Sequence, residues 1–237
     1  MIKQFAERNN LLLFLIEIDV KLFNMALAKL KEKLPKIYTV EEYLSIDRES
    51  IERYEYLDGD ILMMAGESIR HGDISVNLIR EVSLVLKGKN CRVLAKDTKT
   101  KSGGFGKIGQ TKKGMFSYPG LVIVCGEPEF QDKHRDIVLN PKVIIEVLSE
   151  STELFDRTDK FMRYRMFNDT LTDYILVSQD KPQVEHFIRQ DDNSWKLFTY
   201  FGLKEEIFIE SIECRIKLSE IFDRVKFTKK ELALFKD

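Results

Sequence analysis

The chain has 237 residues, 43% of them apolar and 32% charged, with 38 basic against 39 acidic side chains. That is enough chain to bury a substantial core, and the near-neutral balance excludes capture of a polyanion by the overall field, so any such contact must come from a local basic patch. Cys91, Cys125 and Cys214 are far apart and form no CxxC pair, which argues for reduced thiols in a cytoplasm-like compartment and against a structural zinc site.

The N-terminal stretch carries a short apolar run, Leu11 to Ile16, interrupted by Glu17 and Asp19. A signal h-region takes about 7–15 apolar residues and a membrane span about 20, so neither fits. Residues 1–36 read as an extension outside the core, with Met25 opening "MALAKLKEKL" as the expected true start. Residues 37–225 then read as one domain, followed by a tail over 226–237.

Thr39 caps a short helix over "VEEYLSI". "RYEYLDGDILMMAG" reads as two strands around the Asp58-Gly59 turn, a strong hairpin signal. From Arg70 to Leu86, Ile74, Leu78, Val82 and Val85 recur at helical spacing and Gly88 supplies a stop. Strands follow at "CRVLAK" and "LVIVC", separated by a long loop, and then at "KVIIEVLS". The last two are near-continuous apolar runs, as expected of strands covered on both faces. "STELFDRTDKFMRYRMF" returns to helical periodicity through Leu154, Phe161 and Met162, and strands close the pattern at "DYILVS", "QVEHFIRQ" and "WKLFTYF". Apolar central strands flanked by helices, with hairpins added, define a mixed α/β sheet.

Glu146 is the first anomaly, a carboxylate on the same strand face as Ile144 and Leu148. Desolvated alone it would cost several kcal/mol, so it needs a partner, a metal or a cleft. It is either a strand-end acid paired with a nearby base or part of a reactive site. Asp156, Lys160 and Tyr164 share one helix face, where spacing alone favours an exposed ion pair over a lysine presented to a phosphate or water near Glu146. The loop "KDTKTKSGGFGKIGQTKKG" holds six lysines against Asp97. Lys99, Lys101, Lys107, Lys112 and Lys113 are candidates for tracking a nucleic-acid backbone, against the alternative of a solvated loop. No P-loop, nucleophile elbow or histidine triad is present. Gly120, at the mouth of an apolar strand in "SYPGLVIVCG", marks a close backbone approach or a bulge.

In order, "ERYEYLDGDILMMAG", "RHGDISVNL", "CRVLAKD", "YPGLVIVC", "VIIEVLSESTELFDRTDKFMRYR", "DYILVSQDKPQVEHFIR" and "LSEIFD" resemble the Uma-type restriction endonuclease family, a branch of the PD-(D/E)XK nucleases. The resemblance spans about residues 37–225. It implies a restriction-endonuclease-like mixed central sheet flanked by helices, with strand-end acids binding Mg²⁺ or Mn²⁺ for hydrolysis of DNA. On this chain it implies Glu146 and Glu55 as metal ligands and Lys160 as the catalytic lysine, since the usual lysine position is Leu148. Asp97 matches a further recurrent acid. The family's other metal-binding acid would stand at Gly120, where the chain reads Tyr118-Pro119-Gly120. The resemblance therefore implies a DNA endonuclease of impaired activity; the alternative is an inactive nuclease-fold protein that binds nucleic acid or protein. A homodimer follows by fold analogy alone.

Overall fold

Helix α1 (Val40–Glu49) begins at a reciprocal cap: Glu42 N donates to Thr39 Oγ1 at 3.1 Å, and Thr39 N donates to Glu42 Oε2 at 2.8 Å. The computed structural model describes residues 36–64, 66–95, 97–103 and 114–233, and those from Tyr38 onward belong to one compact unit. Strands β1 (Tyr54–Leu57) and β2 (Asp60–Met63) form the expected hairpin. Asp58 and Gly59 both take positive φ, 51° and 114°, which is why an Asp-Gly pair closes a two-residue turn.

Helix α2 (Ile69–Leu86) is capped by Ser68, whose Oγ accepts from His71 N at 3.1 Å. Ile74, Leu78 and Val82 are buried along one stripe. Strands β3 (Cys91–Ala95), β4 (Lys99–Ser102), β5 (Met115–Ser117), β6 (Leu121–Cys125), β7 (Ile137–Val138) and β8 (Val143–Leu148) follow. The expected long loop between β3 and β6 is thus corrected at both ends, because β4 and β5 pair with each other in it. Helix α3 (Glu153–Phe155), a π-helical turn (Asp156–Lys160) and helix α4 (Phe161–Phe167) form one continuous segment. Leu154 is 77% exposed rather than in the expected apolar stripe. The chain closes with β9 (Asp173–Ser178), β10 (Gln183–Arg189), β11 (Trp195–Phe201), β12 (Glu206–Ile209), β13 (Cys214–Lys217), α5 (Leu218–Ile221) and α6 (Lys229–Ala233).

The mixed α/β expectation holds, with the strands divided among sheets. Six lie in the order β11-β10-β9-β8-β6-β3, five in the order β2-β1-β5-β4-β7, and β12 pairs with β13. Within the larger sheet β8 runs parallel to β9 and antiparallel to β6. Its alternate side chains enter two cores. Val143, Ile145 and Val147 join Ile74, Leu78 and Val82 of α2, while Ile144 and Leu148 join Phe161, Tyr164, Tyr174 and Leu176. All six residues of β8 are buried, as a doubly covered strand requires.

The cysteines require a second correction. Cys91 and Cys125 are direct register partners on β3 and β6, and their sulfurs are bonded. Cys214 is free and buried, with its thiol pushed up to about 11 by burial.

Candidate functional site

The site is assembled around β8. Period-2 alternation places Glu146 on the face of Ile144 and Leu148, against the segment that carries Lys160. Lys160 Nζ lies 2.8 Å from Glu146 Oε1, 3.1 Å from Asp156 Oδ1 and 3.7 Å from Glu55 Oε1. Only the Asp156 contact has hydrogen-bond geometry. Among the described residues Glu146 Oε1 has no partner of hydrogen-bond geometry, and the ammonium 2.8 Å away holds it by charge. Its other oxygen, Oε2, accepts from Gly120 N at 3.0 Å. Glu55 Oε1, on β1, accepts from Tyr118 N at 3.0 Å. Three separate parts of the chain thus bring their acids to one lysine.

Aromatic side chains seal the cluster. Tyr164 OH is 2.5 Å from Ser117 Oγ, and Tyr174 OH donates to the Asp156 carbonyl at 2.9 Å. The enclosure sets the electrostatics. Burial pushes the Glu146 carboxyl up to about 7, opposed by Lys160 and reinforced by the like charge of Asp156. Burial alone would lower the Lys160 pKa, but Asp156, Glu146 and Glu55 outweigh it and hold the ammonium well above its ordinary range.

Gly120 sits across from Glu146 and does not need a left-handed backbone. A Cβ there would lie 3.0 Å from the Ile145 carbonyl and 3.6 Å from Val147 N. The glycine is therefore a close-approach device between the mouth of β6 and the backbone of β8. It is also the position at which the sequence resemblance implies a carboxylate.

The expected metal ligands Glu55 and Glu146 do converge, but on an ammonium. Mg²⁺ takes near-octahedral oxygen ligands. Here the shared direction of the two carboxylates already holds Lys160 Nζ, and Gly120 adds an N–H rather than an oxygen. Among the described residues no three His, Cys, Asp or Glu side chains are grouped so as to hold a metal ion. In this arrangement the donor set does not fit a resident Mg²⁺.

The remaining expected residues lie elsewhere. Asp97 is exposed and pairs with Arg53 at 2.5 Å. Lys99 is corrected outright: it is buried, with Nζ 2.6 Å from Asp47 Oδ2 and 2.9 Å from Asp136 Oδ2, so it faces no solvent-borne ligand. Lys101 is half-buried and donates to Gln131 Oε1 at 2.8 Å. Lys107, Lys112 and Lys113 lie outside the described residues. Asp156 is the site member that the sequence placed on the right helix face without assigning it a role; its spacing four residues before Lys160 was the available signal.

The mixed sheet, with an acid on β8 and a lysine on the helical segment that follows, shares its α/β arrangement with a nuclease-like neighbour. A crystal structure of a putative nuclease belonging to DUF820 from Anabaena variabilis is similar with a TM-score of 0.62, at 14% identity, covering 79% of this chain and 99% of that one. Residues 40–219 match the Uma2 family, described as "Putative restriction endonuclease"; the chain belongs to that family. Two uncharacterized Synechocystis proteins are similar in sequence. The protein sll1609 is 31% identical over 172 residues, 73% of this chain and 92% of that protein. The protein slr1290 is 33% identical over 193 residues, 81% of this chain and 95% of that protein. Among the described residues no helix is long and apolar enough to cross a membrane.

Proposed function

We propose that this chain is a DNA-directed member of its nuclease family whose metal-dependent phosphodiester hydrolysis is impaired. The observation that carries the reading is the pairing of Gly120 with Glu146: where a second carboxylate would help hold a metal, the chain offers a backbone N–H at 3.0 Å. Mg²⁺ or Mn²⁺ would serve such a reaction by lowering the pKa of the attacking water and stabilising charge on the phosphate. Two carboxylates facing an ammonium are a poor host for either ion. What supports nucleic acid as the partner is family membership and the nuclease-like neighbour. The lysines at 107, 112 and 113 belong to this proposal as groups that meet the phosphate backbone. So does a homodimer, by analogy with nucleases that act on both strands, while the Cys91–Cys125 bond takes away the reduced-thiol ground for a cytoplasmic setting.

The second reading is an active Mg²⁺-dependent endonuclease with Glu55, Glu146 and Lys160 as its catalytic residues. It is favoured by the convergence of these three side chains from separate elements. Supercoiled plasmid incubated with the purified protein and Mg²⁺ or Mn²⁺ separates the two. The first reading expects retention of DNA in a gel shift, weakening as salt rises, with no nicking above buffer. Nicking by the natural sequence that Glu146→Ala abolishes would establish the second.

A further inference from the structure

Glu146, Asp156 and Lys160 are almost wholly removed from water, with side-chain exposures of 6%, 4% and 5%, and Glu55 is 17% exposed. Carboxylates at that depth need a cation or a proton. A single cation can serve all three only from a point among them, and Lys160 Nζ occupies such a point, within 4 Å of each. The π-helical turn that carries the lysine is itself buried at Asp156 and Lys160, and Tyr174 OH anchors its first carbonyl. The ammonium is thus delivered by a backbone held in place rather than by a solvated helix surface.

The remaining partners of the acids are also positive ends of dipoles. Glu146 has one oxygen on the ammonium and the other on the Gly120 N–H; Glu55 Oε1 takes the Tyr118 N–H. A divalent ion offered to Glu55 Oε1 and Glu146 Oε1 would meet the lysine 2.8 Å from the latter. It would have to displace an ammonium whose side chain is 5% exposed.

We propose that Lys160 is the built-in cation of this site, pairing with Glu55, Glu146 and Asp156 from within and excluding divalent metal from them. This deepens the reading of impaired hydrolysis, on which it rests, by naming what takes the metal's place.

The full-length protein is titrated with Mn²⁺, with free ion followed by electron paramagnetic resonance, and melted with and without millimolar Mn²⁺. The natural sequence should show no saturable site and an unmoved melting temperature. Lys160→Met should gain one saturable Mn²⁺ site, lost again in Lys160→Met/Glu146→Gln. At Mn²⁺ about a hundredfold above Kd, its melting temperature should rise by about 5 °C or more. A saturable site in the natural sequence that Glu146→Gln abolishes overturns the proposal, as does a folded Lys160→Met that binds none. If Lys160→Met does not fold, the natural sequence and Glu146→Gln decide alone: no saturable site sustains the proposal, and one abolished by Glu146→Gln ends it. Mn²⁺ binding at Glu146 without plasmid nicking would sink this assignment and leave the impaired-nuclease reading standing. Nicking that survives Glu146→Gln would do the reverse.

Discussion

The amide of Gly120 donates to Glu146 Oε2 across 3.0 Å, so a residue with no side chain still fixes the orientation of the one buried acid on the central strand. This hydrogen bond depends on the two backbones lying close together, because a Cβ at position 120 would be 3.0 Å from the Ile145 carbonyl.

Gly120→Ala should therefore destabilise the protein by about 1–3 kcal/mol, the range for overpacking between elements that cannot yield freely. Urea denaturation of the two proteins checks this. An unchanged midpoint would mean that β6 and β8 separate easily. The same crowding applies to Gly120→Asp, so restoring the acid expected there would first have to shift the β8 backbone.

The pH dependence of Glu146 has a definite sign. Burial raises its carboxyl from 4.5 to about 7, so the folded state binds the proton more readily than the unfolded one. Its favourable contribution is greatest below about pH 4.5 and declines as pH rises to about 7. Relative to Glu146→Gln, the natural sequence should lose stability across that window and then level off. Denaturation curves of both proteins from pH 4.5 to 8 test it, and parallel pH profiles would refute it.

Lys99 and the lysines at 107, 112 and 113 should separate cleanly. Lys99→Met removes the ammonium from Asp47, whose side chain is 1% exposed and keeps the neutral donors Tyr54 N and Tyr118 OH, and should cost about 3–5 kcal/mol of stability. The Lys107/Lys112/Lys113→Gln triple variant should instead act on nucleic-acid binding. It should reduce the salt dependence of binding to duplex DNA by about 0.9 in the log–log slope for each phosphate that is no longer neutralised. A reduced slope in a folded Lys99→Met would contradict this division.

The Cys91–Cys125 link closes a separation of 34 residues between half-buried positions. In the chain-entropy account, breaking it should cost about 3–4 kcal/mol. Melting with and without dithiothreitol, alongside Cys91→Ser/Cys125→Ser, measures it. Equal melting temperatures in the two conditions would mean that the sulfurs are not joined in solution.

What the sequence disclosed was local. The Thr39 cap, Asp58 with Gly59 and the alternation around Glu146 each depend on a few neighbouring residues, and each formed as expected. The shared face of Asp156, Lys160 and Tyr164 was also readable, but its burial was not, because burial depends on β8 and β9 packing beneath it. Lys99 looked solvated since its partners Asp47 and Asp136 are remote in sequence. The cysteine pair depends on the register of β3 against β6, which spacing cannot supply. Leu154 was misplaced because the π-helical turn departs from the 3.6-residue period on which the expected stripe was counted.

The position of Glu146 on β8 bears also on how the chain finds its alignment. A slip of one residue would turn the carboxylate over into the aliphatic packing of Ile74, Leu78 and Val82. That packing is built from apolar side chains, and a lone charge buried in it would raise the energy of that arrangement by several kcal/mol. The acid that weakens the native state near neutral pH thus weakens the nearest mispaired state more, and acts as a proofreader of strand alignment.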